Sequence, residues 1–115
     1  MNILKELKNI CDLLKIPVET GIFSEKAPQT YVVLVPLNDS FPYNADNYPQ
    51  TDVQEVRISL FSKTNYLKYK NKITAQLLGS GFYITDRRYN GFETDAGYHQ
   101  YTIDVAKCYD LEEEN

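Results

Sequence analysis

The chain has 115 residues, 43% hydrophobic and 24% charged, a balance that fits one folded domain and excludes disorder as the state of the whole chain. A domain of this size buries roughly 65% of the surface its unfolded chain exposes, enough for a core without staples. The net charge of −4 equals the four acids of the tail Asp110–Asn115, so the body is neutral and lacks the positive field that drives counterion release from nucleic acid. The expected organisation is one domain over residues 1–109 followed by an acidic tail, with nucleic acid not expected as the main partner.

Residues 2–15 place Leu4, Leu7, Cys11 and Leu14 at spacings of three and four, with Ile3 and Ile10 beside them and Lys5, Glu6, Lys8, Asn9 and Asp12 opposite. This is the period of a helix burying one face. Pro17 biases Ile16 away from helical angles, so the helix is expected to end near Lys15. The same stretch is interrupted by charge every few residues, unlike a signal peptide, and no run approaches membrane-spanning length.

A short strand is expected over 17–23, then a loop, then a strand over 30–37 whose core Tyr31-Val32-Val33-Leu34-Val35 is apolar on both faces. From Asn38 to Thr51 no periodicity survives and prolines interrupt pairing, which reads as a long loop. Val56, Ile58 and Leu60 alternate with Arg57 and Ser59 in a strand over 53–62. Ser62 to Asn65 then offer cap oxygens to a helix over 66–78, which Gly79 and Gly81 stop. Phe82 to Thr85 starts a strand, Asn90-Gly91 signals a hairpin turn, and a returning strand runs from about Tyr98 to Tyr109. The expected fold is α+β in the order α-β-β-β-α-β-β, a mainly antiparallel sheet with both helices on one face.

A search for chemistry finds little. The single histidine, His99, supports no two-histidine metal site, and no Ser or Cys lies in a nucleophile-elbow context. His99 reads as a sheet histidine at the edge of the core. Asp52 with Glu55, or Asp86 with Glu93 across a hairpin, are carboxylate neighbours that nothing places in a pocket. Gly79-Ser80-Gly81 follows a helix instead of preceding one, so it presents no helix N-terminal amides to a phosphate. Cys11 and Cys108 lie 97 positions apart and form no CxxC pair, and they read as reduced, partly buried thiols. No enzyme, cofactor, metal or small-molecule substrate is expected.

Aromatic content is the conspicuous feature: ten tyrosines and five phenylalanines without tryptophan. Tyr31, Tyr66 and Tyr101 fit core or core-edge positions. Others fall where no regular core position exists, and these are the interface candidates: Phe41, Tyr43 and Tyr48, with Asp46 and Asn47, in the loop 39–51, and Tyr89 and Phe92, with Arg87 and Arg88, in the polar hairpin 86–96. A hairpin this polar is expected to project toward solvent or a neighbouring subunit, its arginines able to pair with carboxylates there.

The order of these elements resembles the small tail-completion or tail-terminator (head–tail joining) proteins of long-tailed phages and prophages of Gram-positive bacteria. The residues that carry it are Ile16-Pro17-Val18, Thr30-Tyr31-Val32-Val33, the run Tyr43 to Asn47, the strand Val53 to Phe61, Gly81-Phe82-Tyr83 and the strand Gly97 to Asp104. Each is a generic pattern, and the weight lies in their order and spacing over nearly the whole chain. The resemblance implies a ring, expected to be a hexamer, that caps the tail tube and meets neck proteins. It also implies assembly in the host bacterial cytoplasm and residence in the virion. Ring closure uses heterologous contacts between unlike patches, for which the long loop and the polar hairpin are the candidates. Competing readings are a non-phage protein-binding module of similar fold and a small enzyme, which would reveal itself by a deep pocket near His99 or Asp104.

Overall fold

The computed structural model describes residues 2–22, 26–41 and 51–110. Among them are helices α1 (Ile3–Leu13) and α2 (Tyr66–Gly79), and strands β1 (Val18–Thr20), β2 (Thr30–Ser40), β3 (Thr51–Ser62), β4 (Tyr83–Glu93) and β5 (Tyr98–Asp110). The strands form one sheet in the order β1-β2-β3-β5-β4. Every pairing is antiparallel except β1 with β2. The α+β class and the element order are those expected.

Side-chain alternation divides the sheet into two faces. Val32 and Leu34 of β2, Val56, Ile58 and Leu60 of β3, and Tyr101, Ile103 and Val105 of β5 point one way, and all are buried. Against them pack Ile3, Leu7, Ile10 and Cys11 of α1 and Ile73 and Leu77 of α2. Both helices therefore cover one face, because neither apolar stripe can be hidden from water alone.

The two helices end in the same way. Lys15 (φ 61°) and Gly81 (φ 81°) are left-handed. The amides that follow donate back five residues, Ile16 N–H to the Cys11 carbonyl at 2.9 Å and Phe82 N–H to the Leu77 carbonyl at 3.1 Å. This is a Schellman closure, and in each case the residue after the turn, Ile16 or Phe82, is buried in the core. At the helix starts the side chains of Asn2 and Asn65 accept from Lys5 N–H and Lys68 N–H.

Four expectations are corrected. The segment expected as a loop from Asn38 is strand through Ser40, and strand resumes at Thr51. Pro36 is accommodated beside a bulge between Pro36 and Asn38. It lies past Leu34, the last β2 residue that pairs with β1, where no β1 carbonyl awaits an amide from β2. The first strand is only Val18–Thr20, cut short at Gly21 (φ 84°).

Asn90-Gly91 is not the hairpin turn but a bulge inside β4, with Gly91 at φ 120° and Asn90 Nδ2 donating to Thr102 Oγ1 at 3.3 Å. The chain reverses at Thr94–Gly97, where Gly97 N–H donates to the Glu93 carbonyl at 2.7 Å and Asp95 N–H to Glu93 Oε1 at 2.9 Å. The polar hairpin accordingly does not project as an arm. β4 pairs with β5 from Tyr83 to Glu93 as the sheet's edge strand. Its charge suits an edge, where side chains deter unwanted pairing.

Candidate interaction surfaces

The rows of the sheet give the molecule two distinct ends. Thr30, Ser62, His99 and Phe92 share one end, and Ser40, Val53 and Cys108 the other. Val53 and Ser62 are nine residue steps apart along β3, about 30 Å at the rise of a strand, within overall extents of 52 × 24 × 24 Å.

The first end is clad in aromatic rings on both faces of the sheet. On the helix side, Tyr66 at the start of α2 stacks on Tyr89 at 5.1 Å and on Tyr101 at 6.1 Å, with His99 at 5.2 Å. Phe92 lies 4.8 Å from His99, and the Tyr89 hydroxyl is 2.9 Å from His99 Nδ1. Tyr101 is buried, while Tyr89 and Phe92 keep 45% and 50% of their surface exposed. The cluster is a packed ledge whose outer edge remains available to a partner.

On the opposite face, which carries no helix, Tyr31 and Phe61 stack at 4.8 Å and Tyr98 stands edge-on to both at 5.4 and 6.3 Å. The Tyr98 hydroxyl donates to the Pro28 carbonyl at 2.6 Å, which ties the 26–29 segment to the sheet. Burial, and then the neighbouring Tyr98, hold the Tyr31 phenol above its ordinary pKa. Two adjoining open hollows, about 450 and 390 Å³, share Tyr31, Phe61 and Gln100. One reaches Ala96 in the β4–β5 turn and the other reaches Ile22 and Val35. Further along this face the surface turns polar. Arg57 holds Asp104 through two hydrogen bonds of 2.8 and 3.0 Å, and that bond raises the pKa of the guanidinium.

The second end is different in kind. Leu37 and Phe41 are 41% and 60% exposed; Asp39 lies between them in the chain, Glu55 pairs with Asn38, and Asp110 closes β5 at the same end. Gln54 turns inward there, accepting from Ile3 N–H at 3.0 Å and donating to Asp52 at 3.1 Å, which fixes the start of α1 on the sheet. Lys107 donates to Glu6 and to the Ser80 carbonyl, both at 2.9 Å, and joins α1 to the end of α2.

Of the expected interface residues, Phe41 lies at the second end and Tyr89 and Phe92 at the first. Tyr43, Asp46, Asn47 and Tyr48 lie outside the described residues. Arg87 and Arg88 point to opposite faces, as successive strand residues must, and Arg88 pairs with Asp86 of its own strand at 2.9 Å. The suggested carboxylate pairs do not form. Asp52 and Glu55 face opposite sides of β3, and Asp86 and Glu93 lie seven residues apart on one strand, opposite Asp104 and Tyr98, instead of facing each other across a turn. Among the described residues no three His, Cys, Asp or Glu side chains come together to hold a metal ion. No helix among them is long and apolar enough to cross a membrane.

Sequence reasoning missed the Tyr31–Phe61–Tyr98 surface, although its signal was present. Phe61 is out of phase with Val56, Ile58 and Leu60, and Tyr98 is out of phase with Tyr101 and Ile103. Large rings on the non-core phase of neighbouring strands mark a contiguous apolar patch.

Fold and surfaces define a small α+β protein with an aromatic end and an acidic, apolar-tipped end. No protein-family model matches the chain, and no curated protein matches it at a significant level.

Proposed function

We propose that this chain is a structural protein of a phage or prophage tail, whose copies form a ring that caps the tail tube and joins it to the neck. The resemblance in element order supplies the tail context. The observation that carries the assembly role is the pair of unlike surfaces at opposite ends of one elongated sheet, since a closed ring needs a patch and a different, complementary patch on each subunit. The partners of such a ring are further copies of the chain, tail-tube subunits and neck proteins. Its place is the host cytoplasm during assembly and the virion afterwards.

The test is electron microscopy of the purified protein, alone and mixed with tail tubes of the same phage. Rings of tube diameter or caps on tube ends are the expected result. A protein that does neither is not a tail terminator. A monomer that instead binds an unrelated protein through the Tyr31–Phe61–Tyr98 hollows would favour a protein-binding module outside any virion.

A further inference from the structure

We infer that neighbouring copies meet head to tail: the Leu37–Phe41 end of one copy seats in the Tyr31–Phe61–Tyr98 hollows of the next. The inference rests on the assembly reading above and specifies which surfaces make the contact. Three observations lead to it.

The first is chemical fit. The hollows are floored by aromatic rings and open to solvent, and an apolar side chain entering them removes ring surface from water. Leu37 and Phe41 are exposed apolar side chains of that size, carried on a strand end that can approach another sheet.

The second is reach. Leu37 lies two residues beyond Val35, at the rim of one hollow, but six strand residues, about 20 Å, from Tyr31, and Phe41 lies ten residues from it, so neither side chain reaches the Tyr31–Phe61–Tyr98 rings of its own chain. A second copy is needed to bring them together.

The third is charge. Lys26 adjoins the hollow, Lys63 sits over the Tyr98 ring at 5.0 Å, and Lys68 and Lys70 extend from the first turns of α2 at the same end. Among the described residues Glu93 and Asp95 stand against these four, of which Lys68 and Lys70 lie with α2 on the helix side of the sheet. Among the described residues the other end presents Asp39, Glu55 and Asp110, while Asp52 is buried against Gln54, Lys107 is engaged by Glu6, and Lys5 stands in the first turn of α1. An excess of positive charge at one end and of negative charge at the other favours head-to-tail approach and disfavours like ends meeting. A contact of this kind does not close on itself in a dimer. It propagates from copy to copy until rotation closes it.

The experiment uses two variants of the full chain, each altered at one end on exposed residues. The knob variant is Leu37→Ser with Phe41→Ser, and the groove variant is Lys63→Glu with Ala96→Glu. Circular dichroism establishes that both are folded, and sedimentation velocity follows association up to about 1 mM, a range in which weak contacts are populated. The wild type is expected to form oligomers larger than dimers. Each variant alone is expected to associate at least about tenfold more weakly. Their equimolar mixture is expected to form a one-to-one dimer, because one intact knob and one intact groove remain.

A wild type that stays monomeric, variants that assemble like the wild type, or a mixture that stays monomeric would each overturn the contact. A mixture that dimerises, from a wild type that never caps tail tubes, leaves the contact standing and removes the tail role.

Discussion

Cys11 and Cys108 show how position sets the chemistry of one residue type. Cys11 is buried on the inner face of α1, and burial first, then the neighbouring Asp12, push its thiol up to about 12, whereas Cys108 is exposed on β5. The folded chain keeps the Cys11 proton at pH values where the unfolded thiol, near 9.0, has lost it. Its contribution to stability is therefore complete below pH 9.0 and declines as the pH rises toward about 12, by at most about 1.4 kcal/mol per pH unit. Urea unfolding at about pH 8 and about pH 11 should show a smaller alkaline loss in Cys11→Ala than in the wild type, and equal losses would remove this account. In the native protein a thiol reagent should modify Cys108 quickly and Cys11 only on unfolding. Deep in the core, Leu60 has no exposed surface. Leu60→Ala should cost about 2–5 kcal/mol in denaturant unfolding, the range for a leucine whose cavity cannot collapse.

The helix ends are the place where single elements can be tested. Lys15 holds a left-handed conformation that glycine adopts freely and a side chain resists. Lys15→Gly should therefore stabilise the chain by up to about 1 kcal/mol, and Gly81→Ala should destabilise it by about the same amount. Nothing lies within 4 Å of a Cβ at Gly81, so a loss there reports backbone strain and not a clash. Thermal unfolding of both variants checks the pair, and the argument fails if the two shifts share a sign. The same elements show why sequence reading went astray at β4. Asn-Gly is the commonest signature of a two-residue turn, but glycine's positive φ serves a bulge equally well. The true turn at Thr94–Gly97 uses four residues and ends on its own left-handed glycine, Gly97 (φ 79°).

At the scale of the molecule, the separation of charge between the two ends predicts how association responds to salt. Exposed charges are screened within a Debye length of about 8 Å at physiological ionic strength. Oligomers held by the proposed head-to-tail contact should weaken as salt rises from about 0.05 to about 0.5 M, until ring burial alone remains. Sedimentation across that range checks it, and association that strengthens steadily with salt would point to a purely apolar contact elsewhere. The Arg57–Asp104 pair is not part of this effect. It lies within one subunit and partly exposed, so Arg57→Ala should change folding stability by less than about 1 kcal/mol.

Much of the fold was legible in the chain, because its signals are local. The stripe of Leu7, Ile10 and Cys11 determined α1, and the alternation of Val56, Ile58 and Leu60 determined the buried face of β3. Pro17 and Gly81 marked where the helices must stop. Other features depended on what lies beside each segment in space. Asn38–Ser40 has little strand preference of its own, yet it is strand because Val53–Glu55 of β3 supplies its hydrogen-bond partners. Hydrogen bonds to a distant strand override a weak local preference. The candidate surface was decided at the same level. The sequence by itself supplied the aromatic residues and the acidic bias. Only the tertiary structure gathered Tyr31, Phe61 and Tyr98 from three strands onto one face and set Leu37 and Phe41 at the far end. Side-chain direction follows from strand phase, but adjacency follows from strand order, and strand order is settled by the packing of the whole sheet.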